Sequence, residues 1–219
     1  YLAKKESVEL GKDFISAKKE IFACANLWKH ASKIVREKKI KTIKQKNTKL
    51  YEILEPVGVV ALIIPWNFPM IVLSERLPYI LAAGNGVVIK PSENGSLSIE
   101  SFIRLISKVG LPPGTINYLT GDYKAGKNIV NNKNISMISF TGSTKTGKEI
   151  YNSASKTIKR LSLELGGKNP MAVFSDANIK KACVDVVYSF THNAGQCCVA
   201  GSKLFIEDKI FNKFLNGLE

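Results

Sequence analysis

Val57-Gly58-Val59-Val60-Ala61-Leu62-Ile63-Ile64 is an unbroken apolar run, rich in β-branched residues and closed by Pro65. It is too short to span a bilayer, and it matches a strand buried on both faces, the kind that parallel sheets contain. Downstream, the same pattern recurs between stretches of helical periodicity. Helices are predicted over residues 69–83, 96–109, 124–131 and 143–155, and strands over 86–90, 116–119, 136–140 and 160–164. Strands separated by helices in this way build βαβ units, and the handedness of their crossovers gives an open doubly wound parallel sheet of α/β class.

Residues 7–38 precede this alternation and read as one or two amphipathic helices, with Ile21, Leu27, Trp28 and Ala31 near helical spacing. Residues 39–50 are lysine-rich and polar, an exposed connection or a short edge hairpin. After Gly166-Gly167 a second α/β unit begins: a strand over 171–174, a helix over 179–193, a loop over 195–201 and a strand over 203–206. The expected division is a dinucleotide-binding domain with its N-terminal helices over 1–163, and the beginning of a catalytic domain over 164–219.

Composition narrows the functional classes. Hydrophobic residues make up 45% of the chain and charged residues 23%, as in ordinary globular domains. The formal net charge is +14, from 32 Lys+Arg against 18 Asp+Glu, but the lysines are dispersed and accompany no nucleic-acid reading module. Neither a nucleic-acid nor a membrane partner is expected. Cys24, Cys183, Cys197 and Cys198 show no zinc spacing, and with His30 and His192 as the only histidines no metal site is expected. Reduced thiols fit a cytoplasmic location.

In open parallel sheets, ligands sit beyond the carboxyl ends of the strands. Three such ends carry unusual chemistry: Pro65-Trp66-Asn67-Phe68-Pro69, Lys90-Pro91-Ser92-Glu93 and Thr141-Gly142-Ser143-Thr144. The last couples a glycine to a helix N-terminus that attracts anions, a natural seat for a pyrophosphate. Residues 142–148 also match the first seven positions of a phosphate-binding P-loop, but Glu149 stands where a magnesium-binding hydroxyl belongs. Gly84-Asn85-Gly86 lacks the third glycine of the usual dinucleotide fingerprint, so a dinucleotide would be held in a non-standard Rossmann-like mode. Lys90 offers donors to ribose or phosphate, and the charge of Glu93 disfavours a 2′-phosphate.

Gly195-Gln196-Cys197-Cys198 is a glycine-flanked loop after a helix. A thiol is an effective nucleophile near neutral pH when it is held ionised, and Cys198 is expected to be so held. His192, six residues before it, offers the alternative of a Cys–His hydrolase, although a structural role suits that histidine better. Glu164, at a strand end before two glycines, can activate a water. The amide of Asn67 can stabilise an oxyanion.

Taken in order, Pro65–Pro69, Lys90–Glu93, Phe140–Thr144, Glu164-Leu165-Gly166-Gly167-Lys168 and Gly195–Cys198 resemble the aldehyde dehydrogenase superfamily. The resemblance implies an oxidoreductase that converts an aldehyde to a carboxylic acid with NAD, NADP being the alternative. It assigns Cys198 as the nucleophile and Cys197 as a variable neighbour. Asn67, with the Cys198 backbone N–H, becomes the oxyanion site, and Glu164 the base that releases the acid from a thioester. Ile64, Trp66, Lys90, Glu93, Gly142 and Ser143 become cofactor contacts. A CoA-acylating relative usually lacks the counterpart of Glu164, so hydrolysis is favoured; a non-catalytic dinucleotide-binding domain is the alternative outside enzymology. The family's chains are longer at both ends, and its later Glu-x-Phe motif is missing here. The chain therefore reads as a fragment, inactive or weak alone, of a parent that forms homo-oligomers.

Overall fold

The computed structural model describes residues 1–36, 40–45 and 48–219. Two helices open the chain, α1 (Leu2–Leu10) and α2 (Phe14–Ile34). Gly11 takes the left-handed conformation (φ 70°) that closes α1, and Asp13 caps α2 by accepting the Ser16 N–H. The lysine-rich segment forms an antiparallel hairpin, β1 (Ile40–Gln45) and β2 (Thr48–Ile53), with residues 37–39 and 46–47 lying outside the described residues. Its strands pair with each other and not with the main sheet, so it is a separate ribbon and not an edge.

The run that begins at Val57 becomes β3 (Val59–Ile64), the middle strand of a five-stranded parallel sheet. The chain continues through α3 (Pro69–Ala82), β4 (Gly86–Pro91), α4 (Leu97–Ile106) and β5 (Ile116–Tyr118). It then crosses back through α5 (Tyr123–Asn131), β6 (Met137–Gly142), α6 (Thr144–Ser155) and β7 (Arg160–Leu165). The spatial order is β5-β4-β3-β6-β7. Strand order therefore reverses between β3 and β6, and the expected open doubly wound architecture is what forms. At such a reversal the loops leave in opposite directions and open a crevice.

Alternate residues of β3 supply two cores. Leu62 and Ile64 join Val87, Ile89, Met70, Leu73 and Leu77 under α1–α4, whereas Ala61 joins Ile138, Phe140, Ile129 and Ile150 under α5 and α6. That is why the run is continuously apolar: both faces of the strand are covered.

β7 carries Glu164 and ends at Leu165. Beyond it, β8 (Asn169–Val173), α7 (Ile179–Thr191), β9 (Gly201–Ile206) and α8 (Phe211–Asn216) form a smaller unit. Here β8 and β9 pair in parallel, and Val173, Cys183, Val186, Ile210 and Phe214 form a third core.

Candidate functional site

A cleft of about 520 Å³ opens at the carboxyl ends of β3, β4, β6 and β7, where the strand order reverses. The residues given catalytic or cofactor roles from the sequence all border it: Ile64 ending β3, with Trp66 and Asn67 after it; Lys90 in β4, with Glu93 after it; Gly142 ending β6, with Ser143 after it; and Glu164 with Cys198. The cleft thus joins segments that are far apart in sequence, from Ile63 to Val199.

Gly142 is the last residue of β6 and Ser143 the cap of α6. The Ser143 Oγ accepts the Thr146 N–H at 3.1 Å and donates to the Thr146 hydroxyl at 2.9 Å. The remaining amides of the first turn have no intrahelical acceptors, which suits an anion. Because the helix starts one residue after the strand ends, no extended loop wraps a phosphate as a P-loop does. Glu149, which occupies the magnesium-ligand position of that motif, accepts a hydrogen bond from the Tyr123 hydroxyl at 3.0 Å.

Lys90 has its ammonium nearly buried, donating to the Pro91 carbonyl at 3.1 Å and lying 3.8 Å from the Glu93 carboxylate. Between α5 and α6 the cleft wall is apolar at Val130 and Ile150, and it lacks a side chain at Gly126. Gly95 was not singled out from the sequence, yet it sets the cleft wall: a Cβ there would lie 2.7 Å from the Trp66 carbonyl oxygen. A lone glycine in a polar loop carries no sequence signal for such a contact.

The thiol loop is held by three asparagines. Asn67 Nδ2 donates to the Gln196 carbonyl at 2.8 Å. Asn193 Nδ2 donates to the carbonyls of Asn67 and Gln196, at 3.0 and 3.1 Å. Asn169 Nδ2 donates to the Cys198 carbonyl at 2.8 Å. Asn193, Ala194 and Gly195 all adopt left-handed backbone, with φ of 54°, 55° and 75°. Asparagine and glycine adopt that conformation more readily than alanine, so Ala194 is the strained member. His192 packs against the rings of Phe68 and Tyr188, which agrees with a structural role.

Cys198 is exposed and Cys197 half-buried. The surroundings do not favour an ionised thiol: partial burial, and next the neighbouring Cys197, push the Cys198 thiol above its ordinary value. Backbone N–H groups of Cys198 and Val199 oppose this without reversing it. In this conformation the surroundings of Cys198 favour the protonated form.

Glu164 has a side chain 64% exposed, with its carboxylate 3.8 Å from the Arg76 guanidinium. Arg76 belongs to a stripe of α3 (Val72, Glu75, Arg76 and Tyr79) that lines a second hollow, which also reaches Thr141, Glu164 and Cys198. The spacing of these four residues is helical, so the stripe was available in the sequence. The destination of Arg76 was not.

In fold and site, then, this is an open doubly wound α/β protein with a thiol and a carboxylate bordering the crevice at its strand reversal. The family model described as the aldehyde dehydrogenase family matches residues 1–219, and the chain belongs to that family. Betaine aldehyde dehydrogenase 1 from Oryza sativa is 38% identical over 224 residues, covering 100% of this chain and 44% of the relative. A hydroxyisobutyraldehyde dehydrogenase from Mycolicibacterium austroafricanum is 39% identical, covering 99% of this chain and 44% of the relative. Among solved structures, an NAD-dependent aldehyde dehydrogenase from Sinorhizobium meliloti superposes with a TM-score of 0.94 at 40% identity, covering 99% of this chain and 44% of that one. A betaine aldehyde dehydrogenase from Staphylococcus aureus in complex with NAD+ superposes with a TM-score of 0.96 at 33% identity, with 99% and 44% covered. The chain thus spans a little under half the length of these relatives.

Proposed function

We propose that the protein containing this chain oxidises an aldehyde to a carboxylic acid with NAD+, using Cys198 as the nucleophile. The observation that carries this reading is the meeting of Asn67, Glu164 and Cys198 on the same cleft as Lys90, Glu93 and Ser143. A nucleophile, an oxyanion donor and a base stand beside a crevice shaped for a nucleotide.

The residues present fit a dinucleotide. The first turn of α6 at Ser143 suits the pyrophosphate. Lys90 and Glu93 offer a donor and an acceptor to the adenosine ribose, and the groove between α5 and α6 suits the adenine. Ile64, Trp66 and Gly142 complete the walls. The carboxylate of Glu93 favours NAD+ over NADP+, whose 2′-phosphate it would repel.

The Cys198 thiol gives its proton to water, and the sulfur bonds to the aldehyde carbon as the carbonyl electron pair moves onto oxygen. The oxygen then carries negative charge, which the Asn67 amide and the Cys198 N–H neutralise. When bound, NAD+ supplies the hydride acceptor that turns this thiohemiacetal into a thioester. Glu164 then takes a proton from water, the water oxygen bonds to the acyl carbon, and the acid leaves as the sulfur departs.

The same reading treats residues 1–163 as the nucleotide domain and residues 164–219 as the start of the catalytic domain, which the separate third core supports. Four unpaired thiols favour a reducing compartment such as the cytoplasm. No helix among the described residues is long and apolar enough to cross a membrane. Assembly of the whole protein into homo-oligomers is supported by the apolar Tyr51 and Ile53 that the hairpin exposes.

Rapid-mixing measurement of NADH formation with an aldehyde, on the full-length protein and on Cys198→Ala and Glu164→Gln variants, tests the proposal. Cys198→Ala should form no NADH. Glu164→Gln should give one stoichiometric burst followed by slow turnover. Steady turnover by Cys198→Ala, or Cys198 alkylation that neither aldehyde nor NAD+ slows, would instead indicate a non-catalytic nucleotide-binding domain.

A further inference from the structure

The helix that begins beside Asn67 has no cap of its own. Its cap residue, Phe68, supplies no side-chain hydrogen bond, and Pro69 at the first helical position has no N–H. The missing acceptor comes from α1. Glu6, fully buried, accepts the Met70 N–H at 3.1 Å through Oε1. The same oxygen accepts the Ser98 hydroxyl at 3.4 Å, and Oε2 accepts the Lys12 ammonium at 3.2 Å.

A carboxylate removed from water in this way is stable only when donors surround it. Lys12 is itself buried and spans two carboxylates, Glu6 and, at 2.7 Å, Glu20. Sharing one cation leaves Glu20 under-compensated, and burial first, then the Glu6 charge, push it up to about 7. The Lys12 ammonium also lies 4.5 Å from the centre of the Phe68 ring, which stacks against His192 at 5.9 Å. Phe68 is therefore pinned by its ring, and the turn that follows it is pinned by a carboxylate.

We infer that Glu6, with Lys12, is a positioning residue for the Asn67 amide, fixing from the first helix of the chain the turn that aims it. Glu6 touches neither the thiol nor the cleft; it acts through Met70 and Phe68, the residues that set the backbone just after Asn67. This inference rests on the reading of Asn67 as the oxyanion donor. Small displacements of such a donor have large kinetic effects, because its interaction is strongest where charge develops.

The experiment compares Glu6→Gln, Phe68→Leu and Asn67→Ala in the full-length protein by steady-state kinetics with aldehyde and NAD+. Alkylation of Cys198 by iodoacetamide is followed alongside. Glu6→Gln should lower kcat about tenfold, leave the KM for NAD+ within about twofold, and leave the alkylation rate unchanged. Phe68→Leu keeps the apolar bulk and loses the ring over Lys12, so it should lower kcat in the same sense and supplies the answer should Glu6→Gln fail to fold. A kcat within about twofold of the parent in both variants, whatever their melting temperatures, would overturn the positioning role. Full kcat in Asn67→Ala would instead sink the oxyanion assignment itself, so the two failures are separable.

Discussion

The side-chain amide of Asn67 donates to the backbone carbonyl of Gln196 at 2.8 Å, across 129 residues of sequence. This bond ties the turn after β3 to the loop that carries Cys198. An amide NH2 has two donors, so one proton can hold the loop while the other faces a developing oxyanion. On the proposed reading, the same side chain would set both the position of the nucleophile and the site where charge appears.

Asn193 reinforces this tie with two bonds of its own while occupying left-handed backbone. Asn193→Ala would lose both bonds and add strain. Its kcat in the full-length protein should fall about tenfold or more, because the thiol loop loses its register against Asn67. Ala194→Gly should act oppositely on stability, raising it by about 0.5 to 1 kcal/mol, since glycine adopts the φ of 55° at little steric cost. Chemical denaturation checks the second claim, and an unchanged midpoint would refute it.

Cys198 is held as a thiol by burial and by Cys197, which has a defined consequence for pH. Its alkylation rate should keep climbing past pH 9, the ordinary thiol value, without an earlier plateau. Cys197→Ser removes a neighbour that opposes ionisation, so its profile should move toward lower pH. Initial rates with iodoacetamide between neutral and alkaline pH give both curves. A plateau near pH 7 in the unmodified protein would mean that the thiol is already ionised.

Gly95 leaves no room beside the Trp66 backbone, since a Cβ would lie 2.7 to 2.9 Å from three Trp66 atoms. Gly95→Ala must therefore push the cleft wall outward. We expect the KM for NAD+ to rise about tenfold, with the Cys198 alkylation rate unaltered. Isothermal titration with NAD+ tests this directly, and unchanged affinity would show that the wall yields freely.

The alternation of apolar strands and helices was legible because each strand of the large sheet is covered on both faces, which leaves a continuous hydrophobic signature. Strand order was partly legible: crossover handedness gives a doubly wound sheet, but nothing in residues 57–64 says that this strand becomes the centre. The hairpin was readable as polar and exposed, whereas its separation from the main sheet depends on pairing partners that composition does not encode. At the site, the residues chosen from motifs all border the cleft, because chemistry concentrates at strand ends. The protonation of Cys198 is not legible in the sequence, since it depends on burial and on a neighbouring sulfur. Asn193, Gly95 and Glu6 went unseen because each acts through one long-range contact that no local pattern announces.

Arg76 offers the sharpest separation of stability from rate. Its ion pair with Glu164 spans 3.8 Å, and the carboxylate side chain is 64% exposed. Solvent screens such a pair, so Arg76→Met should change folding stability by less than about 1 kcal/mol. Its effect on rate follows a different logic. The guanidinium is the cation that restrains Glu164 among the described residues, and a free carboxylate samples orientations that do not face the acyl carbon. Thioester hydrolysis should slow about tenfold, while the burst of NADH keeps its amplitude. If Arg76→Met instead abolished the burst, the arginine would be acting at the thiol or on the aldehyde rather than through Glu164.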